Sequence, residues 1–159
     1  MRVVQFYKTV RAKHRLMLKI NYPPNNFRIK KEKNKEFIFD EVRCLWVTLT
    51  PEEWIRQNFL QYLIQVRNYP KTLFSVEKII TLGELKKRCD IVVYKNNLPW
   101  MIVECKEMNV DLKLPAVEQI LRYNMAVPVK YLIITNGNKT LAFEISVSGL
   151  SEINDLPVF

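Results

Sequence analysis

The chain has 159 residues, a mass of 19.0 kDa and 48% hydrophobic residues, which suits one globular domain with its own core. Its formal net charge is +9 and its pI is about 9.5, which favours an anionic partner, most commonly nucleic acid. No apolar run approaches the roughly 18 residues of a membrane span, the single histidine argues against histidine-based triads and zinc sites, and the three scattered glycines exclude a phosphate-cradling loop.

The cysteines indicate a reducing compartment. They are odd in number, form no close pair and follow no secretory signal: Cys44, Cys89 and Cys105. A disulfide framework or a zinc knuckle is therefore not expected, and the cytoplasm is the expected location.

Residues 1–21 are interpreted as a basic N-terminal extension. The first sixteen residues contain no acid and supply more than half of the net charge through Arg2, Lys8, Arg11, Lys13 and Arg15. This composition is compatible with a helix, a transit-like peptide or a flexible arm. A translation start at Met17 is the alternative, and it would make the extension an annotation artefact.

Residues 27–48 are predicted to form a β-hairpin whose charged tip, residues 31–36, is interpreted as a solvated loop. A helix is predicted from Thr50 to about Val66, because Thr50 can cap it, Pro51 stands at N1 and Glu53 stands at N3. Projection at 100° per residue places Glu52 on the apolar stripe, facing inward, so Glu52 is the expected site residue. Glu53 is the competing candidate, and pure capping is the alternative for both glutamates.

The rest of the chain alternates strands and helices. Strands are predicted at 73–82, 88–94 and 100–107, a helix at 115–126, and strands at 130–135 and 140–145 joined by a tight turn at Asn136-Gly137. The order of elements predicts an α/β (α+β) domain with a mixed sheet over residues 22–150. Residues 151–159 are expected to form a surface tail.

Three charged residues interrupt two apolar, strand-like runs: Asp90, Glu104 and Lys106. A hairpin centred on Asn97 would place Asp90 opposite Glu104, with the carboxylates ~5 Å apart, which is unfavourable unless a cation lies between them. Strand alternation puts Glu104 and Lys106 on one face. The alternative is an Asp90 to Lys106 salt bridge with Glu104 at a sheet end.

Mg²⁺ suits this pair, because it accepts one or two carboxylates, keeps several waters and takes further oxygens from phosphate. The predicted chemistry is metal-assisted hydrolysis of a phosphodiester, in which Lys106 orients the attacking water or stabilises the transition state. Gln119 and Tyr123 lie four residues apart on the second helix and share a face that could point toward this site. Surface decoration is the alternative for that pair.

Asp90, Glu104-Cys105-Lys106 and Gln119 to Tyr123 resemble the D…ExK…QxxxY signature of the RecB-like PD-(D/E)xK nucleases. A wider set, over about residues 18–145, resembles the N-terminal nuclease domain of type I restriction enzyme R subunits, especially small stand-alone relatives. It comprises Thr50 to Gln57, Tyr69-Pro70, Glu77-Lys78, Lys87 to Asp90, Gln119 to Asn124 and Thr135 to Gly137.

The resemblance implies a restriction-endonuclease-like core, a central mixed β-sheet flanked by helices. It also implies a Mg²⁺-dependent endonuclease, with Mn²⁺ as a possible substitute and DNA as the substrate, in restriction, defence or repair. The implied metal ligands are Asp90, Glu104, the backbone carbonyl of Cys105 and Glu52.

Lys106 is the implied catalytic lysine, assisted by Gln119, Tyr123 and a helix glutamate at 52 or 53. R subunits couple this domain to a helicase motor, which these 159 residues do not include, so a motor or specificity protein is an expected partner. The alternatives are a non-catalytic nuclease-fold module that binds nucleic acid or protein, and a purely structural interaction domain.

Overall fold

A computed structural model describes residues 18–159. The expectations for residues 1–17, including those for the basic extension and for Met17, fall outside the described residues. The last part of the expected extension touches the domain, because Leu18 forms an isolated antiparallel bridge with Thr140. Leu18 and Ile20 both pack against an apolar cluster that contains Ile55 and Phe59.

The first structured region is a three-stranded antiparallel sheet rather than a simple hairpin. Strands β1 (Ile29–Glu32), β2 (Lys35–Asp40) and β3 (Leu45–Thr48) lie in the order β1-β2-β3. The charged tip contributes paired strand residues, with Lys31 opposite Glu36, and its turn is confined to residues 33–34. The tip remains exposed to solvent, as predicted.

Helix α1 (Pro51–Gln61) begins where the capping pattern predicts, since Thr50 Oγ1 accepts the amide N–H of Glu53 at 3.0 Å. A π-helical turn, Tyr62–Val66, continues α1 to the predicted end. In a projection at 100° per residue Val66 shares the apolar stripe with Glu52, but Val66 is 46% exposed. The wider π turn rotates the last residues away from the 100° projection, which explains the difference.

The larger sheet has six strands in sequence order. They are β4 (Phe74–Leu82), β5 (Leu85–Lys95), β6 (Leu98–Cys105), β7 (Tyr131–Thr135), β8 (Thr140–Ser146) and β9 (Gly149–Glu152), and a short 3₁₀ helix, Lys71–Leu73, precedes β4. Neighbours are antiparallel except β6 and β7, which helix α2 (Leu114–Ala126) connects as a parallel pair. The predicted mixed sheet flanked by helices is confirmed.

The β5–β6 hairpin has the predicted register near the charged residues, with Ile91 opposite Val103. Its turn is shorter than the predicted loop of residues 95–99, because Asn96 and Asn97 both adopt positive φ, at 52° and 62°. A register shift between Val93 and Tyr94 adds back one residue. The shorter turn and the bulge change the register by one residue in opposite directions. The pairing beyond the bulge, around Ile91 and Val103, therefore has the predicted register.

The large sheet separates two apolar clusters. Alternate residues of β5 and β6 face opposite sides, so Val92 and Ile102 pack with Ile120 of α2, whereas Ile91 and Val103 pack with Phe59 of α1. The helices therefore cover opposite faces of the sheet. In the described part of the chain, neither helix combines the length and apolar character that crossing a bilayer requires.

The prediction that residues 151–159 form a surface tail is wrong. Residues 149–152 form strand β9 on the edge of the large sheet, and Leu156 beyond it is only 2% exposed. Tyr69 donates its hydroxyl to the Pro157 carbonyl at 2.5 Å, and Phe159 packs against the Tyr69 ring. The last residues thus close one end of the core.

Candidate active site

Glu104, Lys106, Gln119 and Tyr123 meet between β6 and α2. Glu104 Oε1 accepts the Lys106 ammonium at 2.6 Å and the Gln119 amide at 2.6 Å. The same amide nitrogen donates to the Tyr123 hydroxyl at 2.9 Å, and Lys106 also donates to Gln119 Oε1 at 3.2 Å. The structure thus brings together four of the residues predicted for the site, and Gln119 and Tyr123 are not surface decoration, since Tyr123 is 5% exposed.

Asp90 lies next to this group but has other partners. Its Oδ2 accepts the backbone N–H of Cys105 at 2.6 Å, and its Oδ1 accepts Arg56 Nη2 at 2.8 Å. The alternative salt bridge between Asp90 and Lys106 is therefore wrong in its partners, because Lys106 pairs with Glu104 and Asp90 pairs with Arg56. The amide contact to Cys105 ties the middle of β5 to the end of β6.

The electrostatics of Glu104 follow from burial beside a second acid. Burial, and then the negative charge of Asp90, raise the pKa of Glu104 to about 7, although Lys106 opposes the shift. Burial alone would lower the pKa of Lys106, but its hydrogen bond to Glu104 and the charges of Glu104 and Asp90 raise it overall. Lys106 is therefore an ammonium group in this arrangement and acts as a donor and a positive charge.

One oxygen of Glu104 gives the observation that bears on metal binding. Oε2 is buried and has no hydrogen-bond partner among residues 18–159, which is costly for a carboxylate oxygen. The carboxylates of Glu104 and Asp90 are the hard oxygen ligands that Mg²⁺ prefers. No group of three acidic, histidine or cysteine side chains in residues 18–159 is close enough to hold an ion, so a cation held by Asp90 and Glu104 would take its remaining ligands from water.

Arg56 is the site residue that sequence reasoning missed. It is 3% exposed, and its guanidinium contacts Asp90, Glu52 at 3.3 Å, Glu53, and Glu77 at 3.4 Å. Burial would lower the pKa of Arg56, but Asp90 and then Glu53 raise it, so the side chain stays charged. A signal was present in the sequence, since residue 56 lies one helical turn from both glutamates.

The structure reverses the expected burial of the two helix glutamates. Glu53 is 6% exposed and its carboxylate contacts Arg56 and Gln57, whereas the Glu52 side chain is 47% exposed. Glu52 lies in the first turn of α1, and its carboxylate accepts Arg56 Nη2 at 3.3 Å. Burial and then the charge of Asp90 raise the pKa of Glu52, which places it at the rim of the same site.

A second group of charged residues, around Asp40 and Arg43, continues the ion-pair network of Arg56 away from Asp90. Asp40 is fully buried, and its carboxylate accepts Arg43 Nε at 2.6 Å and Gln57 Nε2 at 2.9 Å. Arg43 reaches Glu77 Oε2 at 2.6 Å, and Glu77 has the uncommon φ of 53° within β4. The small sheet, α1 and the large sheet are therefore joined by a continuous chain of ion pairs that ends at Asp90.

The cysteines near the site have no nucleophilic character. Burial raises the pKa of the fully enclosed Cys105 thiol, and burial followed by the charge of Glu104 raises that of Cys89 to about 12. All three cysteines are free thiols. The structure places the Cys105 amide at the site, whereas the metal-ligand role of its carbonyl stays a prediction.

A mixed sheet flanked by two helices, with Asp90 within one central strand and Glu104 near the end of the next, defines a restriction-endonuclease-like α+β fold. Residues 51–157 match the family described as Type I restriction enzyme R protein N terminus. The chain belongs to this family, which associates it with restriction and with a nuclease-like module. No curated protein and no solved structure gives a significant match.

Proposed function

We propose that this protein is a metal-dependent endonuclease that hydrolyses phosphodiester bonds of DNA in a restriction, defence or repair system. The observation that carries the proposal is the arrangement of Glu104, Lys106 and Gln119 beside Asp90, with one Glu104 oxygen buried and unpartnered. A buried carboxylate oxygen without a protein partner is suited to a cation or a water molecule. Membership of the R protein family supports the same reading.

Asp90 and Glu104 would hold the ion, with Glu52 at the rim and the Cys105 carbonyl as further oxygens. When bound, Mg²⁺ or Mn²⁺ would supply activation of water and neutralisation of phosphate charge. The protonated Lys106 would donate a hydrogen bond to the attacking water or to a phosphoryl oxygen as the bond to the leaving oxygen breaks. Gln119 holds Lys106 and Glu104 in one geometry through bonds to both, and Tyr123 fixes the Gln119 amide.

The test is nicking of supercoiled plasmid with Mg²⁺ and, separately, with Mn²⁺. Wild type should convert the plasmid to nicked and linear forms, and EDTA should stop it. Lys106→Ala should lower the rate by at least about 10²-fold, because it removes a charge that acts on the transition state. Lys71→Ala, a change of an exposed lysine in the 3₁₀ helix, is the matched control and should cut like wild type.

A non-catalytic module that binds nucleic acid or protein is the second candidate. It is favoured by one observation, namely that Arg56 already pairs with Asp90 and so supplies a positive charge where a cation would act. The same assay separates the two functions. Nucleic-acid binding without metal-dependent cleavage of duplex, single-stranded or branched substrates would support the non-catalytic module. Nicking by Lys106→Ala at the wild-type rate would remove the assignment of this site.

The partners we propose are DNA and a motor or specificity protein. R proteins act as subunits, and a nuclease module needs either such a partner or an accessible substrate to reach its scissile bond. The compartment we propose is the cytoplasm, which holds DNA in a cell with a restriction system and is compatible with the free thiols.

A further inference from the structure

The small sheet has an outer face that carries aromatic rings and cations. Side chains alternate along each strand, so Ile38 and Asp40 point toward α1, where Ile38 is fully buried and Asp40 binds Gln57. The residues of opposite orientation form the outer face, which we define as Arg28, Lys30, Lys35, Phe37, Phe39 and Trp46.

Contacts between these side chains confirm that they share one side. The guanidinium carbon of Arg28 lies 3.6 Å from the Phe39 ring centroid, and the Lys30 ammonium lies 4.7 Å from the Trp46 centroid. The Phe39 and Trp46 rings meet edge to face at 5.3 Å. Trp46 remains 38% exposed and Arg28 is exposed, so this ring and this guanidinium are accessible to a ligand.

The charge of the outer face favours an anion. It has three cations, and the acid on the same side is Glu32, which pairs with Lys30 at 2.8 Å across an exposed contact. Such exposed pairs contribute little and are readily exchanged for a phosphate contact. Lys33 in the hairpin turn adds positive charge beside it, whereas Lys31 lies on the opposite side of the sheet, across from Glu36.

The aromatic rings decide which anion fits. A duplex hides the flat faces of its bases, whereas an unpaired strand presents them for stacking on aromatic rings or on an arginine plane. Cations that follow a backbone, combined with rings that stack on bases, make up the common platform for single strands. Arg28 already lies over Phe39 and is itself exposed to solvent.

We propose that the outer face binds single-stranded nucleic acid. Bases stack on Trp46 and on the Arg28–Phe39 pair, while Lys30 and Lys35 contact phosphates. The proposal states how the proposed nuclease would hold a nucleic-acid strand, and it therefore rests on the proposed function. Binding can nevertheless be measured without cleavage.

The test is fluorescence anisotropy in EDTA with labelled oligo-dU, oligo-U and a duplex, each of about 20 nucleotides, which exceeds the ~4–16 nucleotides that a single-strand platform typically covers. A single strand should bind more tightly than the duplex. Trp46→Ala should weaken binding about tenfold, because stacking on one ring is lost, whereas Trp46→Phe should stay near wild type. Trp54→Ala removes a tryptophan that is also 38% exposed but packs on Phe27, and it should bind like wild type.

Lys35→Ala should reduce the slope of log K against log salt by about 0.7, the value for one phosphate contact on a single strand. Lys71→Ala should leave the slope unchanged, and thermal melting of each variant should show that it folds. Trp46-dependent binding of either oligonucleotide supports the proposal, and the tighter one identifies the sugar. Absence of binding, preference for the duplex, or equal affinity of Trp46→Ala and wild type would overturn it. Absence of cleavage with Trp46-dependent binding intact would remove only the proposed nuclease activity.

Discussion

The Arg56 guanidinium lies between carboxylates from α1, β4 and β5, and its charge offsets theirs in a region shielded from water. A buried ion pair is weak evidence for net stability, but the removal of one partner leaves the others uncompensated. The carboxyl groups that surround Arg56 therefore give it a structural role that does not depend on what the site catalyses.

Arg56→Met should lower the free energy of unfolding by about 3–5 kcal/mol, because it leaves Asp90 and Glu53 buried without their cation. Urea denaturation at neutral pH measures the change. Arg88→Met is the matched control, since Arg88 pairs with Glu77 at 3.4 Å but its side chain is 63% exposed. The control should cost at most about 1 kcal/mol, and equal losses in both variants would contradict the role assigned to Arg56.

The raised pKa of Glu104 predicts a pH dependence of stability in metal-free protein. The folded pKa of about 7 exceeds the ordinary value of 4.5, so the folded state binds the proton more tightly than the unfolded state. The stability that this group contributes is fully present below pH 4.5 and is lost as the pH rises through about 7.

Thermal melting in EDTA should therefore show that wild type loses stability relative to Glu104→Gln across that range. Magnesium should raise the melting temperature of wild type at neutral pH more than that of the variant, because a cation favours the ionised carboxylate. Parallel curves for the two proteins would show that Glu104 does not titrate in this way.

At the scale of elements, the loop between β7 and β8 approaches α1 at Gly137. A Cβ at residue 137 would lie 2.5 Å from Ile55 Cδ1, and Gly137 has a φ of +85°. Gly83 offers a matched comparison, since it has a φ of +60° but nothing within 4 Å of a Cβ. The two glycines separate backbone strain from side-chain crowding.

Gly83→Ala should cost about 1–2 kcal/mol from the left-handed backbone alone. Gly137→Ala should cost a further 1–3 kcal/mol or so, because Ile55 must move. Adding Ile55→Val removes the crowding methyl group and should recover part of that difference in chemical denaturation. No coupling between residues 55 and 137 would show that the helix accommodates the methyl group freely.

Local patterns predicted the elements that position the site. The Thr50 cap, the strands around Asp90 and Glu104, and the i, i+4 pair of Gln119 and Tyr123 depend on neighbours in sequence, and each was recognisable. Strand β9 was not, because Gly149-Leu150-Ser151-Glu152 lacks a strand pattern and is held by its pairing with β8. Arg56 was missed for a related reason, since its burial depends on Glu77 and Asp90, which are distant in sequence.

At the scale of the whole molecule, the C-terminal residues complete the packing around Tyr69 and Trp100. Phe159 lies 5.2 Å from the Tyr69 ring and 5.7 Å from the Trp100 ring, and Leu156 is buried beside them. Residues far apart in sequence thus meet at one end of the domain.

Leu156→Ala should lower the free energy of unfolding by about 2–5 kcal/mol, as expected for a buried leucine that leaves a cavity. Val158→Ala, at a residue that is 82% exposed, should change it by less than about 0.5 kcal/mol. Denaturation followed by tryptophan fluorescence measures both. A loss below 1 kcal/mol or so for Leu156→Ala would show that the terminal segment contributes little to the core.

The ion-pair chain around Arg56 also has an evolutionary consequence. A single substitution within this chain of ion pairs leaves an opposite charge unpaired. A lineage that changes Arg56 is therefore expected to change Glu53 or Glu77 with it. Among natural relatives these positions should covary as a set, and a neutral residue at 56 should occur together with lost acids. Directed evolution from Arg56→Met should recover second-site revertants at the same carboxylates, such as Glu53→Gln, before it recovers them elsewhere.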